Sequence, residues 1–233
     1  MADSISNIIF EITSDPSFGI MLTLLTYSFG VWLNRKAKTP LVNPMMISVV
    51  LNICVLLSCN ISYDNYMAGG SVIEIFLTPV TALLAVKIYE QLKVIKENWI
   101  PIIAGTAVGS AASIVCVFVM CKAFGLEEVL VSSMLPKSVT MAIAVPLSVQ
   151  NGGIASITAV CLLITGILGA VFSPYMIRIM KIKNPIEAGI AIGTSSHALG
   201  TTKAIELGDI EGAMSSCAIG IAGFITAIYI LLM

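Results

Sequence analysis

Apolar positions in this chain come in blocks. They follow neither the 3.6-residue spacing of an amphipathic helix nor the alternation of a half-buried strand. Eight blocks stand out, at approximately 18–33, 42–59, 70–86, 99–121, 132–149, 154–177, 186–205 and 212–232. No charged side chain occurs between Lys137 and Arg178, and none after Glu211. A hydrocarbon layer about 30 Å thick takes about 20 apolar residues of helix to cross, so the blocks have the length of membrane spans. The pattern predicts an all-α, polytopic integral membrane protein with about eight apolar segments. No polar stretch is long enough to hold a second domain, which makes 1–233 a single transmembrane domain.

The blocks are of two kinds. The fourth, sixth and eighth are long, uninterrupted and free of charge, whereas the third, fifth and seventh are each broken by Pro, Gly, Ser or Thr and touch an ionisable residue. Weak internal repetition links the two kinds. Val80-Thr81-Ala82-Leu83-Leu84-Ala85-Val86 resembles Val139-Thr140-Met141-Ala142-Ile143-Ala144-Val145, displaced by 59 residues. Gly109 and Ser113 match Gly169 and Ser173, and Ala144, Leu147 and Gly152 match Ala204, Leu207 and Gly212, each displaced by 60. These matches fit three broken-then-long pairs, and repeated broken helices are a pointer to a transport site near the bilayer midplane.

Composition supports the membrane assignment: 58% of residues are hydrophobic and 11% charged, against roughly a quarter charged in a soluble domain. A net charge of -1 favours no charged partner, and no basic patch with interleaved aromatics supports nucleic-acid binding. The six cysteines sit in apolar segments without clustered His or acidic partners, so they read as small helix residues, with no metal and no cofactor implied. The first seventeen residues hold Asp3, Glu11 and Asp15 but no Lys or Arg, unlike a cleavable signal peptide, and the N-terminus is expected to be retained.

Basic residues suggest the orientation. Arg35, Lys36 and Lys38 follow the first block, and Lys87, Lys93 and Lys96 follow the third. The positive-inside rule places both groups in the cytoplasm and the N-terminus outside. Arg178, Lys181 and Lys183 follow the sixth block, and would lie outside if all eight blocks crossed. The conflict disappears if the fifth block is a re-entrant hairpin and the seventh another, entering from the cytoplasmic face. The C-terminus is outside in either arrangement. Full crossings would make the repeats parallel, which argues the other way, and the sequence leaves both arrangements open.

Candidate chemistry is concentrated in the broken blocks. The fifth holds Pro136-Lys137-Ser138-Val139-Thr140 and runs on to Pro146. A Lys within an apolar span costs about 2.5–3.5 kcal/mol on insertion scales. A bound anion, a carboxylate partner or snorkelling to the interface would offset it, so Lys137 is either a ligand or an interfacial lysine. The seventh runs Gly193-Thr194-Ser195-Ser196-His197-Ala198-Leu199-Gly200-Thr201-Thr202-Lys203, then Glu206. This is a poor helix interior. It suits an unwound stretch whose N–H groups and hydroxyls face an anion. His197, the chain's one histidine, is either a carrier of a coupling proton or a satisfied packing residue. Glu206 pairs with Lys203 or Lys137, or marks the aqueous end with Asp209 and Glu211. In the third block, Thr78, Pro79 and Thr81 repeat the Pro and Thr theme. Gly105, Gly109, Gly166 and Gly169 predict close helix approach.

At these residues the chain resembles the LrgB/CidB family, the larger component of the bacterial LrgA–LrgB and CidA–CidB systems. The resemblance runs from Asn43-Pro44 to the last helix. Its specific parts are the 136–140 stretch, Gly152-Gly153 and the 193–201 block. Two positions depart from the family pattern: Thr78 replaces a Gly before Pro79, and Met141-Ala142 replaces a Thr-Pro pair. The resemblance implies two functions. One is transport of small monocarboxylates, pyruvate in bacteria and glycolate or glycerate in plastids; the other is antiholin-like or holin-like modulation of murein hydrolase activity and cell lysis. It also implies a multi-pass protein of the cell membrane, a small LrgA/CidA-like membrane partner and a homo-oligomer. An intramembrane enzyme has no support, since paired-carboxylate and His/Glu metal motifs are missing. The residues favour transport, with Lys137, Ser138, Thr140, Ser195, Ser196 and His197 around a small carboxylate. Pro136, Gly193, Thr194, Gly200 and Thr201 complete the candidate site, and Thr78, Pro79, Thr81, Lys203 and Glu206 support it.

Overall fold

The computed structural model describes residues 13–37 and 42–232, which form eleven helices and no strand. Contacts divide the chain between Leu83 and Leu84 into two compact units.

In the first unit, α1 (Pro16–Ala37) packs against α2 (Pro44–Ser58) and α3 (Tyr63–Glu74). Gly19 and Gly69 let two backbones touch: a Cβ on Gly19 would lie 3.1 Å from the Cα of Gly69. The Thr26 hydroxyl is hydrogen-bonded to Ser48 (2.9 Å) and to Oδ1 of Asn52 (3.2 Å), so three buried polar side chains satisfy one another. The Asn43 side chain accepts from the Met45 amide, and Pro44 occupies the first helical position, where its missing N–H costs nothing.

The third apolar block, 70–86, does not form one span. Ser62 caps α3 by accepting from the Asn65 amide, so that helix starts at Tyr63, before the block. α3 stops at Glu74, and α4 (Leu77–Glu90) starts afresh with Pro79 in its first turn. Four helices are long and apolar enough to cross a membrane: α1 and, in the second unit, α6 (Trp99–Ala123), α9 (Ala155–Ile179) and α11 (Asp209–Leu231). Pro44–Ser58 and Met141–Gln150 are shorter apolar helices, and a count of eight segments is not confirmed among the described residues.

In the second unit, a short α5 (Leu92–Glu97) leads into α6. Ile102 clusters with Met214 and Ala218, while Ile114, Val117 and Cys121 cluster with Ile230, so α6 and α11 run parallel. α9 starts where α6 ends and runs back towards its start. The amide of Ile154 donates to Ser133 (2.8 Å), beside Met134, whose sulfur is 3.9 Å from that of Cys121.

The fifth and seventh blocks both fold back. α7 (Glu128–Met134) enters from the end of α6 and reaches mid-depth, where the Ser138 and Ser113 hydroxyls are hydrogen-bonded at 2.7 Å. After the turn at 135–140, α8 (Met141–Gln150) returns along α9. Ala144 packs with Leu162 near the tip, and Thr158 donates to Ser148 (2.7 Å) near the base. α10 (Pro185–Leu207) enters from the opposite end, capped by Asn184. Its first limb, 185–196, runs parallel to α6: Cβ atoms on Gly105 and Gly109 would meet Ile190 and Thr194, at 3.3 and 2.7 Å. At His197 the backbone takes φ 42° and ψ -146°, and the chain reverses. The limb 198–207 lies back on the first, with Gly200 against Ile192, and Thr201 bonds to Ser215 of α11 at 2.7 Å.

Two consequences follow. The basic residues Lys93 and Lys96, and Arg178, Lys181 and Lys183, lie at one end of the unit, where α6 begins and α9 finishes. The repeats are not parallel. Hairpin α7–α8 followed by α9, and the two limbs of α10 followed by α11, are the same arrangement in inverted orientation. Superposing the 60-residue matches sets Lys137 opposite His197 at the two tips, and sets Ala144 opposite Ala204, both 0% exposed.

The α10–α11 contact depends on the absence of side chains. A Cβ on Gly193 would lie 2.9 Å from the Cα of Ser215 and 3.0 Å from the Cβ of Ala218. Gly193→Val is expected to destabilise the fold by about 1–3 kcal/mol, read as a lower midpoint of thermal unfolding in detergent. Gly220→Ala, inside α11 with nothing within 4 Å, should leave that midpoint unlowered or raise it.

Candidate functional site

A cavity of about 690 Å³ lies between α6, the tip of α7–α8 and the first limb of α10. It opens at Asn98, Asn184 and Glu187, at the end of the unit carrying the basic clusters, and reaches in to Ser113, Lys137, Ser138, Thr194 and Ser195. Gly105 and Gly109 form part of its α6 wall. The helix ends position the chemistry. Pro136, with no N–H to give, falls in the turn after α7, and the non-helical stretch holds Lys137 and Ser138 at mid-depth. Thr194 and Ser195 stand within the last turn of the first limb of α10.

Lys137 forms no ion pair with a described residue, and it is the cavity's only lysine or arginine. Around it the cavity is rich in hydroxyls. Ser138 is buried and bonded to Ser113. The Thr194 oxygen is buried without a hydrogen-bond partner among the described residues, as are those of Thr106 and Ser110 on the buried side of α6. A cavity with one cation and several hydroxyls at its depth can neutralise a small anion and replace its hydration shell. Among the described residues, no group of three His, Cys, Asp or Glu is placed to hold a metal ion.

Other candidates are placed elsewhere. Pro136 is fully buried within the turn, and Thr140 caps α8 through its backbone alone, without a side-chain bond. Gly193 faces α11, Gly200 faces the other limb, and Thr201 joins the His197 carbonyl to Ser215. Ser196 sits against Gly169 and bonds Ser195, which also borders a second, smaller cavity beside α9. His197 is buried, and Nε2 donates to the Leu162 carbonyl at 2.9 Å, since a carbonyl can only accept. Its ring lies against Gly166: this is the satisfied packing geometry, at the backbone break itself. All four glycines expected to permit close approach face α10. Glu206 pairs with Lys203 at 2.6 Å, so neither reaches Lys137. Pro79 is an exposed residue of the first unit, and the side chains of Thr78 and Thr81 lie outside the described residues. Ser113 was legible only as a repeat match with Ser173. Asn98, Asn184 and Glu187 carried no sequence signal beyond helix ends.

The family model described as the LrgB-like family matches residues 23–233. The chain belongs to the LrgB-like family. The match covers both hairpins and the whole cavity. Antiholin-like protein LrgB of Bacillus cereus (strain B4264) is 36% identical over 219 residues, covering 94% of this chain and 95% of the relative. A protein of the same name from Bacillus anthracis (strain CDC 684 / NRRL 3495) has the same identity and coverage. No solved structure matches the chain. This LrgB-like protein is thus a polytopic helical membrane protein.

The His197–Gly166 contact makes a sharp prediction. A Cβ on Gly166 would lie 2.5 Å from Cε1 and 2.7 Å from Nε2 of the imidazole. Gly166→Ala should therefore cost about 1–3 kcal/mol of stability in the wild-type background. In a His197→Gly background, where the ring is gone and φ 42° is unstrained, its cost should fall by at least about 0.5 kcal/mol, the remainder reporting Leu199, whose Cδ1 would lie 2.7 Å from the same Cβ. A thermal-unfolding double-mutant cycle in detergent measures the coupling; additive effects would contradict the contact.

Proposed function

We propose that this LrgB-like protein moves small monocarboxylates, of the pyruvate, glycolate or glycerate class, across the cell membrane. The observation that carries this reading is Lys137, a lysine without an ion-pair partner among the described residues, at the deep end of a cavity beside Ser113, Ser138 and Ser195. An ammonium group at that depth is costly, and a carboxylate is the partner the cavity has room for. Ser113 and Ser138, whose mutual bond leaves one hydroxyl proton free, would orient the acid by donating to its oxygens. The volume exceeds what a three-carbon acid occupies, which leaves room for water to accompany it.

The basic residues at the open end support a cytoplasmic mouth under the positive-inside rule. So read, α11 finishes at the opposite, external end. In this reading an impermeant thiol reagent labels Lys181→Cys in inside-out vesicles and not in right-side-out ones.

The second reading is modulation of murein hydrolase activity and lysis, and the relatives' names support it more directly than they support transport. Membrane spans and self-association would suffice for that role, and a lysine so placed would have no evident use. Uptake of labelled pyruvate and glycolate into proteoliposomes decides between the readings, with and without a co-reconstituted LrgA/CidA-like partner. Removing a charge-assisted hydrogen bond costs about 1.5–3 kcal/mol, so Lys137→Ala should weaken apparent affinity about tenfold or more. Ser113→Ala, which removes one neutral hydroxyl, should cost less. His197→Ala, off the cavity wall, should lower uptake only as far as it lowers the amount of folded protein. No uptake of any short-chain acid in either preparation leaves the lysis-modulator reading in place.

A further inference from the structure

The second unit is also open at its other end. A cavity of about 290 Å³ reaches in from Lys122, Glu128 and Asn151, past Ser132, to Leu135. The larger cavity reaches in from Asn98 and Asn184 to Lys137 and Ser138. Between Leu135 on one cavity and Lys137 on the other stands Pro136, less than 2% exposed. We propose that the turn Leu135–Pro136–Lys137 is a gate between two half-passages opening at opposite faces, so that the protein works as an alternating-access carrier and not as a standing pore. This builds on the transport reading, whose site shares Lys137.

Three observations support the gate. Leu135 is 8% exposed and packs with Ile114, Leu147 and Ile230, so an apolar side chain seals the smaller cavity at its inner end. The turn itself is held by short-range bonds, Lys137 N–H to the Met134 carbonyl (3.2 Å) and Val139 N–H to the Pro136 carbonyl (3.3 Å). Pro136 can donate none, so the turn can change shape without melting a helix. The third is the inverted repeat, which gives two hairpins entering from opposite faces and meeting near mid-depth, the arrangement that lets one fold open alternately to either side. The tips are unlike. His197 is bonded to Leu162 and wedged on Gly166, and the two cavities that Ser195 borders beside it lie towards the same end of the unit, whereas the cavities beside 135–137 open at opposite ends. That difference assigns the gate to the first hairpin.

The test uses single cysteines in full-length protein whose six natural cysteines are replaced, and an impermeant thiol reagent applied to vesicles of both orientations. In the cold and without substrate, so that the carrier rests in this conformation, Ser138→Cys should label from the face bearing the basic clusters only, and Ser132→Cys from the other face only. Adding Leu135→Ala should make Ser138→Cys reactive from the second face also, at least tenfold faster than in its parent. Leu135→Met should keep the seal, and unchanged one-sided labelling of Ser132→Cys reports that the fold survives. Labelling of Ser138→Cys from both faces with Leu135 in place would overturn the gate in favour of an open pore. Labelling of both cysteines from one face would overturn it too, as would a seal unaffected by Leu135→Ala. Sidedness needs no substrate. Opposite-face labelling without uptake of any acid removes the transport reading and leaves the gate, while uptake with two-sided access to Ser138→Cys does the reverse.

Discussion

Where the chain turns back at His197, the backbone on either side leaves the helical hydrogen-bond ladder in the middle of an apolar bundle. In hydrocarbon each unpaired backbone group costs several kcal/mol, so such a break survives only if protein covers it or it faces a water-filled cavity. A left-handed φ at a residue other than glycine adds on the order of 1–3 kcal/mol. Most of the surrounding structure can be read as meeting that demand. The imidazole bonds a carbonyl of α9, Thr201 bonds the His197 carbonyl, and Ser215 bonds Thr201 in turn. Glycines on α6 and α9, and on α10 itself where it meets α11, let the helices approach closely enough to cover the rest.

The same close approach shapes the cavity. Gly105 and Gly109 leave the α6 wall without side chains where the first limb of α10 passes, and the space they leave is continuous with the cavity reaching Lys137. The first hairpin enters from the other end because α6 has already crossed, and its tip ends against Ser113, about one helical turn beyond Gly109. One long helix therefore sets the depth of both hairpins: Gly109 locates Thr194 and Ser113 locates Ser138. The meeting of a lysine with several hydroxyls at mid-depth is a consequence of register along α6, not of any local motif.

Much of this was legible in the sequence, for reasons that differ by feature. The long helices α6, α9 and α11 were plain because uninterrupted apolar runs have few other uses. The break at 135–140 was marked by Pro136; the Gly- and hydroxyl-rich run at 193–203, expected to be unwound, stays helical on both limbs and only His197 leaves helical φ/ψ. The fold-back of these segments was suggested by the third basic cluster, since charge bias senses which side a loop occupies. Direction along the bundle was less accessible. The 60-residue matches record which residues correspond but not which way each copy points, so they were equally compatible with parallel repeats. The start of α3 at Tyr63 depends on a Ser62 cap in a polar stretch that apolar blocks ignore. Among the site residues, Lys137, Ser138, Thr194 and Ser195 share a cavity, while Thr140, Ser196, His197 and Thr201, equally polar, do not. Composition cannot separate a hydroxyl that lines a cavity from one that braces the backbone next to it.

The inverted repeat sharpens that distinction. Two copies of one arrangement place Lys137 and His197 at corresponding tips, yet their surroundings have diverged. His197 has a carbonyl to bond and a glycine to rest on, so its polar atom is satisfied by protein and its hairpin is anchored. Lys137 has no carboxylate within reach among the described residues, and its neighbours Ser113 and Ser138 are bonded to each other. A structural lysine would be expected to acquire a partner of the kind His197 has, because an unpaired charge at this depth destabilises the fold continuously. In the transport reading, the less anchored tip leaves Lys137 open to a partner that comes and goes, and a small carboxylate from the aqueous side meets that description.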